Sequence, residues 1–303
     1  MTLAPEDRWL IGLDIDGTVL TENGELDPRV AAEILRVRDL GHEIMPATGR
    51  SVSMTLPVID RLEIAPSYAV SANGAIVMRR DRDAPVGYVR DRVETFDPTE
   101  VLTTVREHLQ GASYAVEDPE GRFRFTGQFP EGALAADRLQ VEFEELLDTP
   151  ATRVVVLSPG HAVEEFLEVV ERMGLHKVSY NVGWTAWLDI APDGVNKGTG
   201  MEYVRQQLGI APDHVLVIGD GRNDIDMFRW AASAGASRSR WVRHRMRCTR
   251  SPRTSRAPIA RSASPRHSHA ISRVEGLFSF TLGIRSGGLS EWPMEPVLKT
   301  GGQ

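Results

Sequence analysis

Residues 11–20 read I-G-L-D-I-D-G-T-V-L. The apolar run from Trp9 reads as a short strand, Trp9–Ile15, and it ends in two carboxylates, Asp14 and Asp16, before the Gly17-Thr18 turn. Like charges at the end of a buried strand are costly unless a cation neutralises them. In a strand, residues i and i+2 point the same way, so Asp14 and Asp16 are expected to face one site. A bare D-x-D also serves as a cap or turn device. The apolar strand running into DIDGT favours a functional site at the carboxyl end of a strand, where open α/β sheets bind ligands.

Three further segments answer this one. GDGRNDIDMF (219–228) follows the apolar run Val215–Ile218 and brings a second acidic cluster, Asp220 and Asp224. These carboxylates suit a hard divalent cation such as Mg²⁺, which takes oxygen ligands. An EF-hand is a poor fit, because Ile225 stands where that loop needs glycine; an Asp-capped helix start is the structural alternative. PATGR (46–50) closes a second strand candidate, His42–Ala47, and sets Thr48 ahead of a helix start, where a hydroxyl and free N–H groups can seat a phosphate. PDGVNKGTG (192–200) puts Lys197 at the opening of another helix. A cation there opposes the helix dipole unless it meets an anion.

Between these motifs, strand and helix signals alternate. Asp27-Pro28 starts a helix that Gly41 closes, Ser51–Leu62 is a second helix, and Tyr68–Ser71 a third strand before the Asn73-Gly74 turn. Lys197–Leu208, Asp213–Ile218 and Asn223–Ala234 continue the series as helix, strand and helix. Strands separated by helices imply a parallel sheet. From about Met78 the texture changes. A hairpin (Ala75–Met78 with Val86–Arg90), a helix to Leu109, strands near Tyr114 and at Phe123–Thr126, and a helix Leu134–Leu147 suggest an α+β insert. Strand Arg153–Leu157, helix His161–Met173 and strands Lys177–Asn181 and Thr185–Ile190 complete it.

With those four motifs in order, the sequence resembles the haloacid dehalogenase superfamily, specifically its Cof-type (subfamily IIB) phosphatases, over about residues 8–234; SANGA (71–75) and LDIAPDGVNKGTG (188–200) fit the same branch. The resemblance implies an α/β, Rossmann-like parallel-sheet core with an inserted α+β cap domain. Residues 1–77 and 191–236 would form the core, and 78–190 the cap that chooses substrate. It implies that Asp14 is the nucleophile on phosphorus, that Asp16 is the general acid and base, and that Thr48 and Lys197 hold the phosphoryl oxygens. Mg²⁺ would be held by Asp14, the Asp16 carbonyl, Asp220 and Asp224. Gly49, Arg50, Asn73 and Asn223 are further candidates for binding or orienting the phosphate. Asp16 suits hydrolysis or a phosphohexomutase-like transfer of a small phosphorylated metabolite, such as a sugar phosphate. Trp184, Trp187, Phe123 and Phe125 read either as cap core or as the wall of a sugar-sized pocket.

Composition sets the bounds. At 303 residues the chain is long enough for two cores. One cysteine, Cys248, rules out an internal disulfide framework. MTLAPEDRWL lacks a basic stretch followed by a long apolar run, and no segment reaches membrane-spanning length, so a cytoplasmic protein with no membrane partner is expected. Charge is uneven: residues 237–303 carry 13 Lys and Arg against three acids, whereas the remainder carries 22 against 39. This Arg/Ser/Pro-rich tail departs from the family's ending and reads as disordered and low in complexity, in the manner of a coding sequence in a shifted frame. A core strand and its covering helix would then be missing, which also allows a destabilised, inactive remnant. A basic arm can bind nucleic acid through phosphates; the acidic body makes that partner the lesser reading.

Overall fold

A computed structural model describes residues 7–21, 23–175, 178–182, 186–233 and 240–241. β1 (Leu10–Leu13), α1 (Pro28–Asp39), β2 (Glu43–Pro46), α2 (Val52–Arg61) and β3 (Tyr68–Ser71) alternate, and β4 (Ile76–Arg80) and β5 (Tyr88–Val93) follow as a hairpin. Next come α3 (Thr99–His108), β6 (Ser113–Glu117), β7 (Phe123–Thr126), β8 (Arg138–Gln140), β9 (Arg153–Leu157), α4 (Val163–Met173), β10 (Val178–Val182) and β11 (Trp187–Pro192). The chain then returns through α5 (Lys197–Gln207), β12 (Val215–Gly219), α6 (Ile225–Ser233) and β13 (Arg240–Trp241).

The first sheet runs β13-β12-β1-β2, all parallel. β1 lies in the middle, so all four of its residues are buried, as a strand covered on both faces requires. Beyond β2, an Ala47–Val70 bridge and a Thr48 N–H to Val70 carbonyl bond of 3.0 Å carry the sheet on to β3, and β4 and β5 extend it antiparallel. Met78 and Tyr88 lie in the same hydrophobic core as Ile11, Leu13 and Ile34. The change of texture at Met78 therefore falls inside this first body, and the hydrophobic core changes only after Val93.

The second sheet, β10-β11-β9-β6-β7-β8, is antiparallel apart from the β7–β8 pair. One face is apolar: Tyr114, Val116, Val154, Val156, Leu188 and Ile190 pack under α3 and α4 through Val105, Phe166 and Val170. The helix expected over Leu134–Leu147 is absent. Its place is taken by β8 and a 3₁₀ turn at Phe143–Leu146. The reason is burial: Leu134 and Ala135 pack with Phe123 and Val155, whereas Phe143 and Leu146 pack with Val101 and Tyr114 in the other cluster. A single helix cannot bury both ends on different clusters, and tertiary packing overrides propensity.

Part of the tail reading also changes. Arg240–Trp241 pair in parallel with Ile218–Gly219, so the edge of β12 expected to be bare is covered there. An unpaired strand edge offers N–H and C=O groups to any backbone, whatever its side chains. The rest of the basic tail, like Trp184, lies outside the described residues.

Candidate active site

The strand ends of the parallel sheet bring the motifs together. Asp14, just past β1, is tied to β12 by its N–H to the Ile218 carbonyl at 2.9 Å, and its side chain is buried. Lys197 is the first residue of α5, behind an Asn196 cap that exchanges hydrogen bonds with Thr199. Its ammonium, fully buried, donates to Asp14 Oδ1 at 2.6 Å and to Asp224 Oδ1 at 2.7 Å. This is the anion that a lysine at a helix start requires. Asp224 uses its other oxygen to accept the Asp220 and Gly221 N–H groups at 3.0 and 2.8 Å, which shapes the turn after β12. Asp220 accepts from the Thr18 hydroxyl at 3.1 Å.

Asp14, Asp220 and Asp224 each present a carboxylate oxygen within 4.8 Å of the others. Two glycines permit that approach. A Cβ on Gly17, whose φ is +77°, would stand 2.2 Å from Asp220 Oδ2, and one on Gly219 would stand 2.4 Å from Asp224. Of the four carboxylates of this region, Asp14 and Asp224 pair with Lys197 and Asp16 pairs with Arg50. Burial drives the Asp14 carboxyl up to about 8, with Asp224 and Asp16 adding to the rise and Lys197 opposing it. Burial also works against the Lys197 charge, yet Asp14 and Asp224 hold its pKa above the ordinary lysine value. Excess negative charge, hard oxygen donors and a glycine-lined gap fit a Mg²⁺ ion.

Asp16 is more exposed than Asp14, yet its charge still raises the Asp14 carboxyl. β1 ends at Leu13, so the period of two no longer applies, and Asp16 sits in the turn that bridges to Leu20. Its side chain is 60% exposed and forms a two-pronged ion pair with Arg50, at 2.5 and 2.9 Å. Thr48 is buried, and its hydroxyl accepts the Arg50 N–H at 3.1 Å. Asn73 adopts a left-handed φ of 51°, donates its N–H to the Thr48 carbonyl at 3.0 Å and accepts from Asn223 Nδ2 at 3.0 Å. Gly49 packs against it, a Cβ there falling 3.0 Å from Asn73 Oδ1. The candidate residues thus form a cluster (buried Asp14, Lys197 and Asp224 with half-buried Asp220), an ion pair (Asp16, Arg50) and a bonded set (Thr48, Gly49, Asn73, Asn223).

Two groups were missed in the sequence. Thr18 lies within the first motif, where a hydroxyl beside paired carboxylates was signal enough. Arg153 belongs to the second sheet and donates through Nη1 to the Gly49 carbonyl. A lone arginine at the start of the apolar strand RVVVL was the only hint. Of the aromatic residues, Phe123 is buried core, while Phe125, Phe129 and Trp187 form edge-to-face contacts with centroids 6.2 and 6.0 Å apart.

Residues 11–236 match the haloacid dehalogenase-like hydrolase family. A phosphoglycolate phosphatase of Halorubrum lacusprofundi is 29% identical over 226 residues, covering 75% of this chain and 82% of that protein. A 5-amino-6-(5-phospho-D-ribitylamino)uracil phosphatase of Bacillus subtilis is 24% identical, covering 74% and 84%. Among solved structures, a subclass IIB sugar phosphatase of the superfamily superposes with a TM-score of 0.61 at 19% identity, covering 77% of this chain and 93% of that one. The chain belongs to the haloacid dehalogenase-like hydrolase family.

Proposed function

We propose that this hydrolase is a Mg²⁺-dependent phosphatase that cleaves a small phosphorylated metabolite, a sugar phosphate, through an aspartyl-phosphate. The observation that carries the reading is the buried Asp14–Lys197–Asp224 cluster with Asp220 in reach of the same gap. Asp14 attacks phosphorus, forming an O–P bond as the bond to the leaving oxygen breaks. Asp16, at the exposed mouth and oriented by Arg50, gives its proton to that oxygen. It then takes a proton from the water that hydrolyses the aspartyl-phosphate, which regenerates both carboxyl groups. Lys197 and the Thr48 hydroxyl hold the charge that develops on the phosphoryl oxygens. Asp14, Asp220, Asp224 and the Asp16 carbonyl would hold Mg²⁺, whose charge lets an anionic phosphate approach a carboxylate.

Residues from about 95 to 191, with their separate sheet and core, serve as the cap in this reading. Among the described residues no helix is long and apolar enough to cross a membrane. With the single cysteine, this supports a cytoplasmic enzyme acting on a soluble metabolite. The deciding experiment is phosphate release with Mg²⁺ over a panel of phosphorylated metabolites, run beside Asp14→Asn. The wild type should be active and the variant inactive; equal activity in both would remove Asp14 as nucleophile.

A further inference from the structure

The face of the second sheet opposite α3 and α4 carries charge where a covered face would carry only apolar groups. Register places Glu117 across from Arg153, and Asp189 across from Val155, so all three side chains lie on this face. Two contacts turn it towards the catalytic loops. Arg153 Nη1 reaches the Gly49 carbonyl between Thr48 and Arg50, and β10 packs against the 3₁₀ turn Arg222–Asp224. β11 runs between β10 and β9. Asp189, on β11, therefore stands over the space between the Thr48 loop and the Asp224 turn.

The hydrogen bonding of this trio is incomplete. Arg153 donates Nε to Glu117 Oε2 at 3.0 Å, with Nη2 ion-paired to the same oxygen at 3.0 Å, and its guanidinium lies 5.2 Å from the Phe123 ring. Trp187 Nε1 donates to Asp189 Oδ2 at 3.0 Å. Among the described residues, Glu117 Oε1 and Asp189 Oδ1 are buried acceptors with no donor. The nearest approach to Asp189 Oδ1 from Arg153 Nη1 is 3.7 Å, too long for a hydrogen bond. Glu117 is wholly buried. Buried acceptors of this kind are ordinarily satisfied, and an exception calls for a missing partner.

We propose that Asp189, positioned beside the Arg153–Glu117 pair, is a specificity determinant that accepts a hydrogen bond from a hydroxyl of the leaving group and rejects a leaving group bearing a carboxylate. This rests on the phosphatase reading above. Arg153 is the only cation in the trio, and it is already committed to Glu117, Gly49 and Phe123. Two carboxylates against one guanidinium leave the trio net negative; of the other cations acting on it, Lys197 is held by Asp14 and Asp224, and Arg90 donates to the Glu120 carbonyl. A carboxylate would meet acceptor atoms and like charge, both unfavourable in a desolvated pocket. A hydroxyl at the end of the leaving group supplies the donor that Asp189 Oδ1 lacks. The selectivity is then opposite to that named for the phosphoglycolate phosphatase relatives.

Matched esters test this. Sorbitol 6-phosphate and 6-phosphogluconate differ only in a terminal hydroxymethyl or carboxylate group, as do 2-hydroxyethyl phosphate and phosphoglycolate. Full-length protein with Mg²⁺ should favour the hydroxylated member of each pair in kcat/KM by about tenfold or more. Asp189→Asn and Asp189→Ala should each shrink that ratio several-fold, a readout that partial loss of folded protein leaves untouched. Preference for the carboxylated esters, or a ratio identical in wild type and both variants, overturns the proposal. Absence of turnover of all four esters counts instead against the phosphatase reading. Calorimetric binding of the same pairs to the wild type then decides the preference: tighter binding of the hydroxylated member supports it, and equal or weaker binding overturns it.

Discussion

Lys197 Nζ lies 2.6 Å from Asp14 Oδ1, both groups buried, although 183 residues separate them in the chain. The same ammonium holds Asp224 at 2.7 Å. Removing it strands two carboxylates in a desolvated pocket. Lys197→Met should therefore abolish phosphatase activity and cost about 3–5 kcal/mol in urea unfolding, the range for breaking a buried pair. Adding Asp224→Asn should restore part of the stability and none of the activity. A single variant as stable as wild type would mean that the three groups are not coupled.

Asp16 is the opposite case, since its ion pair with Arg50 is solvent-exposed. Such pairs contribute about 0–1 kcal/mol. Asp16→Asn should thus unfold within about 1 kcal/mol of wild type while kcat falls by about 10²–10⁴, the range for loss of a general acid and base. The pairing of an unchanged urea midpoint with a collapsed kcat is the signature. A large loss of stability would assign Asp16 a structural role instead.

The acidic gap predicts metal linkage. Mg²⁺ binding only the native state should raise the melting temperature in proportion to the logarithm of its concentration once the site fills. Asp220→Asn should weaken that dependence, and chelation should abolish turnover. Gly17→Ala should do the same by another route, because its Cβ would meet the Asp220 carboxylate at 2.2 Å in a left-handed backbone that alanine resists. Thermal melts across a Mg²⁺ series would check all three, and a shift that persists undiminished in Asp220→Asn would move the metal elsewhere.

Glu202 makes a prediction in acid. Hydrogen bonds from Arg205 chiefly, and from Gln206 and Trp230, draw its carboxyl down to about 2 against some opposing burial. A depressed folded value means stabilisation that is present above the unfolded value of 4.5 and lost as pH falls towards 2. Between those limits the wild type should lose stability more steeply than Glu202→Gln. Above pH 5 the variant should be the weaker protein by on the order of 1 kcal/mol. Identical slopes from pH 5 to 3 would show that the Glu202 carboxylate, with its bonds to Arg205, Gln206 and Trp230, carries no charge-dependent stability.

Much of the first body is legible residue by residue. An apolar run that stops at Asp14, a Pro after Asp27 and a lysine at a helix start each carry their own physical meaning, because burial, fixed φ and the helix dipole act over a few residues. The same locality explains the misses. That Asp16 is exposed and paired with Arg50 depends on where β1 ends, and the ladder with β2 and β12 ends it at Leu13. Whether Leu134–Leu147 coils depends on which cluster each end can bury in.

The sequence alone determined the class of chemistry: carboxylates at strand ends, a hydroxyl and a buried cation, placed where a parallel sheet gathers its carboxyl ends. Only tertiary structure decided the partners. Lys197 bridging Asp14 and Asp224, Thr18 meeting Asp220, and Arg153 reaching Gly49 from another sheet are contacts between segments far apart in the chain. Hydrogen bonds and ion pairs need their atoms within about 3–4 Å, so they are set by packing distance and not by order along the chain.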